Sequence, residues 1–279
     1  MIATPLVSVL MTAYNREKYI GEAMESVLAS TYTNFELIVV DDRSKDRTVD
    51  IARTFEKKDD RVKVYVNEVN LGDYPNRNKA ASYAAGKYLK YVDADDYIYP
   101  WGLDMLITMM ERFPEAGWGL CSLDQYRGKP FPFELSPRDA YEYNYSGPGL
   151  FHKAPLSSII RREVFESEKG FSPLRMVGDF EMWHRLALRH KVVLMPQGIV
   201  WYREHGEQEI KNFNEFSGMY EKLTFEYLSH PECPLEKGAA EQLRQKMKGR
   251  KSRQIVKAIL QLKFRRAYND RKALKSYYV

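Results

Sequence analysis

Asp93, Asp95 and Asp96 follow directly on the apolar run Tyr88-Leu89-Lys90-Tyr91-Val92, which puts three carboxylates at the end of what reads as a buried strand. Like charges this crowded repel by roughly 1 kcal/mol per pair even in water, so a site that keeps them ionised calls for a cation. A hard ion such as Mg2+ or Mn2+ suits carboxylate oxygens too few to fill an octahedral shell, and phosphate oxygens of a nucleotide could take the open positions. An acidic surface turn or helix cap is the structural alternative.

Three further groups could do chemistry. Thr12, Tyr14 and Asn15 with Asp41 and Asp42 would offer an aromatic face to a base and a carboxylate to a pyrimidine imide N–H; alternatively, Tyr14 packs on a sheet and Asp41 caps its own turn. Asp179 opens an apparent helix in Met176–Leu186, where it reads as a cap or, if it faces a cleft, as a general base for an attacking hydroxyl. Glu181 and Arg185 stand at i and i+4 as a helix ion pair, and His184 reads as a surface or packing residue. His205, in Trp201-Tyr202-Arg203-Glu204-His205-Gly206, could close a metal or diphosphate site from the far side of a sheet.

The elements that must position these residues alternate. Leu6–Met11, Phe35–Val40, Val62–Val66 and Tyr88–Val92 read as strands, and Trp118–Leu123 as a fifth. Helical spacing follows Asn15 and the candidate cap Asp46, covers Asn78–Ala85 with Gly86 as a stop, and resumes in Leu103–Phe113, Ser158–Phe165 and Asp179–Arg189. Val192–Leu194 and Ile199–Tyr202 read as short strands, and the aromatic, Pro- and Gly-rich stretch Tyr126–Phe151 as an irregular loop suited to acceptor recognition. Strand–helix alternation implies a parallel sheet with crossover helices, whose ligands bind beyond the carboxyl ends of the strands. Thr12–Asn15, Asp41–Ser44, Asn67–Asn70 and the aspartate cluster follow the first four strands and would converge on one such rim.

Taken together, these segments resemble family-two glycosyltransferases of the GT-A fold. The resemblance rests on Val7–Asn15, Ile38–Ser44 with Asp46 and Thr48, Asn70-Leu71-Gly72, Arg77-Asn78, Asp93-Ala94-Asp95-Asp96, Gly178-Asp179 and Tyr202–His205, and it covers roughly Leu6 to Gly206. It implies a mostly parallel, Rossmann-like sheet flanked by helices, with a nucleotide-sugar-binding half (1–110) and an acceptor and catalytic half (111–206); a C-terminal helical basic extension (207–279), read from charge and spacing, lies outside it. By the same resemblance, Thr12, Tyr14, Asp42, Arg77 and Asp93 would bind the nucleotide, and Asp93, Asp95 and His205 would hold Mn2+ or Mg2+. Asp179 would be the catalytic base. Gly178 departs from the pattern, since an acidic residue is common there, and the duty of Asp96 is open. The implied activity is inverting transfer from a nucleotide-diphosphate sugar, UDP by default, to a glycan or lipid-linked acceptor. A non-catalytic nucleotide-sugar-binding protein is the alternative.

Composition bounds the rest. No run of 18 apolar residues occurs, and the start of the chain lacks the pattern of a signal peptide, so a cytoplasmic protein, peripheral on the inner membrane face, is expected. Cys121 and Cys233 have no metal or redox spacing. From Glu241 to Val279, 13 lysines and arginines stand against Glu241 and Asp270, a net +11 that leaves −6 for the preceding residues. Ile255, Val256, Ile259, Leu260, Leu262, Phe264 and Tyr268 lie among these cations as on a basic amphipathic helix, which either meets an anionic membrane surface or packs on the body. Nucleic acid is not an expected partner, because the front body is acidic and no nucleic-acid motif is present. A dinucleotide dehydrogenase is disfavoured as well, since Thr12-Ala13-Tyr14-Asn15 replaces a glycine fingerprint.

Overall fold

The structure, a computed structural model, describes residues 4–206, 213–262 and 264–277. Its amino-terminal part alternates β1 (Val7–Ala13), α1 (Ile20–Leu28), β2 (Phe35–Asp41), α2 (Thr48–Glu56), β3 (Val62–Val66), α3 (Asp73–Ala81) and β4 (Tyr88–Tyr91). After the two-residue β5 (Tyr97–Ile98) come α4 (Gly102–Glu111), β6 (Ala116–Leu123), β7 (Phe133–Leu135) and α5 (Pro137–Ser146). Then follow β8 (Ser158–Arg161), α6 (Arg162–Ser167), α7 (Gly178–Arg189), β9 (Lys191–Pro196) and β10 (Val200–Trp201). Helices α8 (Phe213–Leu228), α9 (Lys237–Leu260) and α10 (Phe264–Tyr277) complete it.

Eight strands form one sheet in the order β3-β2-β1-β4-β8-β6-β9-β7. β3, β2, β1 and β4 run parallel, β8 is antiparallel to both of its neighbours, and β7 is antiparallel to β9. The near-continuous apolar runs of β1 and β2 are what a sheet covered on both faces requires. Alternate residues enter two cores: Val7, Val9 and Met11 meet Ile20, Met24 and Leu106 on one face, while Leu10, Ile38 and Tyr91 meet α3, α5 and α7 on the other. Trp118 and Trp183 stack there with centroids 5.3 Å apart. Leu223, Leu228, Leu235 and Ala240 join the second core, so α8 and the start of α9 are built onto the sheet's helical layer.

Three expectations change. Ser158–Arg161 is a fully buried strand, not the start of a helix, and only Arg162–Ser167 is helical; pairing with β4 and β6 outweighs an ambiguous local spacing. The supposedly irregular Tyr126–Phe151 contains β7 and α5. The Ser136 hydroxyl accepts from Asp139 N at 3.2 Å while the Asp139 carboxylate accepts from Ser136 N at 3.4 Å, a capping box with Pro137 in the first turn. The third helix begins at Asp73 and ends at Ala81. Gly86 is therefore no helix stop: a Cβ there would lie 2.6 Å from Ser8 N and 2.8 Å from Leu6 O, so glycine permits the approach of the chain to β1.

Candidate active site

The carboxyl ends of β1, β2 and β4 are stitched together before any ligand is considered. Asn15, at φ 53°, donates its N–H to Ser44 Oγ (2.8 Å) and accepts from Lys45 N at Oδ1 (2.8 Å). Arg16 N donates to Thr48 Oγ1 (2.7 Å) and Glu17 N to Asp46 Oδ2 (3.1 Å). Asp41 accepts from Ser44 N (2.8 Å), so this carboxylate caps its own turn. The polar residues that follow β2 thus hold the first two loops in register.

Within that frame lies a cavity of about 780 Å³ lined by Thr12, Tyr14, Asp42, Arg77, Asp93, Asp95 and Asp179, seven of the eight residues singled out from sequence. The eighth, His205, reaches it through Asp95, with Nε2 3.0 Å from Oδ2. Tyr14 is 42% exposed and presents its ring at the cavity edge. Asp42 is buried, and its oxygens accept from Asn67 Nδ2, Leu71 N and Gly72 N, each at 2.8 Å. A carboxylate offers about four lone-pair sites, and donors among the described residues fill three of them.

The aspartate run divides by partner. Asp93 accepts both guanidinium nitrogens of Arg77 (2.6 and 2.8 Å) and the Thr12 hydroxyl (3.3 Å). Arg77 is itself buried and also paired with Asp73 (2.8 Å), so the two acids raise its pKa further against the cost of burial. Asp95 Oδ2 accepts from Arg16 Nε at 2.8 Å. Asp96 is buried and accepts from Arg203 N (3.0 Å); burial, with Asp93 beside it, pushes its carboxyl up to about 8. It too lines the cavity, while its carboxylate holds the segment that leads to His205. Among the described residues no three His, Cys, Asp or Glu side chains are grouped so as to hold a metal. Arginines supply much of the positive charge that the aspartates require.

Asp179 stands in the first turn of α7 and accepts from Phe180 N (2.7 Å) and from the Tyr74 hydroxyl. Burial pushes its pKa up to about 6, with those hydrogen bonds pulling the other way. Gly178 now has a reason: a Cβ there would lie 2.7 to 2.8 Å from ring atoms of Tyr74, so the ring that carries the Asp179 partner fills the place of a side chain. The neighbouring acids and bases behave as expected: Glu181 and Arg185 pair at 2.9 Å, and His184 is a core residue between Phe180 O (2.8 Å) and Tyr145 Oη (2.7 Å).

Residues 8–168 match the sequence model of Glycosyl transferase family 2. The chain belongs to that family. It is a glycosyltransferase of the GT-A fold, and solved structures agree on the fold: S. aureus TarS in complex with UDP-GlcNAc aligns with a TM-score of 0.67 at 22% identity, covering 85% of this chain and 70% of that one. The mannosyltransferase PcManGT from Pyrobaculum calidifontis, in complex with GDP-Man and Mn2+, aligns with a TM-score of 0.62 at 17% identity over 82% of this chain and 64% of that one. Among curated relatives, the Escherichia coli UDP-Glc:alpha-D-GlcNAc-diphosphoundecaprenol beta-1,3-glucosyltransferase WfgD is 41% identical over 105 residues, which cover 38% of this chain and 41% of that one.

Among the residues of this glycosyltransferase's cavity that sequence reasoning missed are Arg16, Asp73, Tyr74 and Tyr220. Asp73 and Arg77 carried a signal, since they stand at i and i+4 on one helix. Arg16, Tyr74 and Tyr220 carried none. Tyr220 comes from α8, where its hydroxyl donates to Met176 O (2.7 Å), so the C-terminal helices contribute to the cavity wall.

Proposed function

We propose that this glycosyltransferase moves a sugar from a UDP-type nucleotide donor to a hydroxyl of a glycan or lipid-linked acceptor, with inversion, at the inner face of a membrane. The observation that carries the reading is one cavity walled at one end by Asp93 and Asp95 and elsewhere by Asp179, a carboxylate pushed up to about 6. Tyr14 would stack on the base, with a fourth acceptor position of Asp42 meeting its imide N–H, and Arg77 would orient Asp93 towards the ribose and diphosphate.

Asp179 would accept the acceptor's hydroxyl proton as that oxygen bonds to the anomeric carbon. The bond from that carbon to the diphosphate breaks, and the nucleoside diphosphate leaves with the electron pair. A base with a pKa near 6 is ionised at neutral pH yet basic enough to help, typically by about 10²- to 10⁴-fold. One displacement inverts the anomeric centre.

Asp95 and His205 would hold a divalent cation once Arg16 Nε, 2.8 Å from the same Asp95 Oδ2, gives way: they face each other at 3.0 Å, with side chains only 12% and 7% exposed, and combine carboxylate oxygen with imidazole nitrogen. Asp93, clamped by Arg77, would join only if that pair loosened. When bound, Mn2+ or Mg2+ would neutralise charge on the leaving diphosphate. The metal in PcManGT and the diphosphoundecaprenol-linked acceptor in the name of WfgD support the cofactor and acceptor classes.

The direct test is thermal stability across nucleoside diphosphates and nucleotide sugars with and without Mn2+, since a ligand at 100 times its Kd stabilises by about 2.7 kcal/mol. A cation-dependent rise with UDP or a UDP-sugar is expected. No rise with any donor would overturn the reading.

A further inference from the structure

We propose that the turn joining α9 to α10 is an insertion tip that docks the enzyme on an anionic lipid bilayer. Val256, Ile259, Leu260, Leu262, Phe264 and Tyr268 are 47% to 78% exposed, all within thirteen positions. The opposite face of α9 is the packed one: Ala258 is buried, and Lys251 is buried between Glu221 of α8 (2.7 Å) and Asp270 of α10 (3.0 Å). Packing of the apolar stripe on the body, the other destination open to this segment, is therefore not what these side chains do.

Leu262 adds an independent observation. It sits at φ 54°, in the left-handed region that glycine or asparagine occupies at little cost, and its side chain is 75% exposed. A large apolar residue in a strained turn, pointing into water, is explained by a task outside the folded chain.

Charge selects the occupant. Arg253, Lys257, Arg271 and Lys272 are exposed on the same two helices, and no acid lies between Val256 and Tyr268. Two copies meeting tip to tip would bring like charges together. An anionic bilayer satisfies both components, with acyl chains for the apolar residues and headgroup phosphates for the cations. The tip is also fixed relative to the cavity, because Glu221, which Lys251 grips, is adjacent to the cavity residue Tyr220. The inference rests on the proposed lipid-linked acceptor for its purpose, while docking itself is measured without any sugar transfer.

The experiment is co-sedimentation of the full chain with phosphatidylglycerol–phosphatidylcholine vesicles and with phosphatidylcholine vesicles alone. Pelleting with the anionic vesicles only is expected. Leu262→Gly should relieve the turn and leave thermal stability at or above wild type, yet weaken pelleting. Leu260→Ser with Phe264→Ser should weaken it by about tenfold or more. Arg253→Glu with Lys257→Glu should remove the preference for anionic lipid. Absent pelleting, equal pelleting by the Leu260/Phe264 variant, or a solution dimer abolished by that variant in the absence of vesicle binding would each overturn the proposal. Donor-induced thermal stabilisation, run on the same samples, separates failure of docking from failure of the transferase reading.

Discussion

Tyr74→Phe isolates one of the two hydrogen bonds that oppose the effect of burial on Asp179. Tyr74 is 4% exposed and its ring is held against Gly178, so loss of the hydroxyl leaves the packing in place. What changes is the balance at Asp179. Burial already favours the neutral acid, and the Tyr74 hydroxyl opposes it by donating to the carboxylate. Without that donor the neutral form gains, so the pKa rises.

A hydrogen bond to a charged group is worth about 1.5 kcal/mol at the low end of its range. One pH unit corresponds to about 1.4 kcal/mol, so the acid limb of kcat/KM should move from near pH 6 to near pH 7. At pH 6 the ionised fraction falls from about one half to about one tenth, roughly a fivefold loss of activity, whereas at pH 8.5 the two enzymes should differ little. Release of nucleoside diphosphate, followed from pH 5 to 9 at subsaturating acceptor, reads this directly. An unmoved limb, or an equal loss at every pH, would refute the assignment, since a merely structural tyrosine has no reason to act through proton activity. Stability carries the complementary sign: the folded state holds the Asp179 proton to higher pH than the unfolded chain, so this group withdraws stability as pH rises through about 4 to 6 and contributes no further change above.

Three other outcomes are expected. Asp179→Asn should lower transfer by about 10²- to 10⁴-fold while donor-induced thermal stabilisation persists, and near wild-type turnover would remove the base from that position. Asp95→Ala should abolish the Mn2+-dependent part of nucleotide affinity measured by calorimetry; unchanged metal dependence would place the ion elsewhere. Gly178→Ala places a Cβ 2.7 Å from a buried tyrosine ring, which should cost about 1 to 3 kcal/mol by denaturant titration and raise the acid limb as Tyr74 is displaced, whereas a variant with wild-type stability and pH profile would show that the ring yields freely.

The half of the fold that positions the nucleotide end was legible because its strands are buried on both faces. β1, β2 and β4 are mostly apolar runs, broken only by Ser8 and Thr12, Glu36 and the buried Lys90 before their ends, and a parallel sheet sends polar residues at their carboxyl ends to one rim. The other half was less so. Ser158–Arg161 owes its strand to neighbours on both sides, which no local window contains. The helix from Pro137 did announce itself, through Ser136 and Asp139, but aromatic and glycine-rich surroundings read more strongly as loop. For the last two helices, charge and apolar spacing were plain while the choice between packing and exposure depended on Lys251 finding Glu221 and Asp270.

At the site, residue type alone did not separate chemistry from scaffolding. Asp41, Asp46 and Thr48 carry the same functional groups as the cavity residues, yet the structure uses them to fasten the first two loops together. Asp42 shares that work through Leu71 N and Gly72 N while still lining the cavity. Conversely, Tyr74, which carried no signal in the sequence, is the partner of the proposed base. Gly178 joins the two cases. An absent side chain at 178 was the one departure in the Asp179 segment, and its cause lies about a hundred residues earlier in the chain: only a glycine lets the Tyr74 ring lie close enough for its hydroxyl to reach the carboxylate. The departure and the missed tyrosine are thus one feature, so Gly178→Ala should cost less stability in a Tyr74→Ala background than on its own, and equal costs by denaturant titration would separate the two.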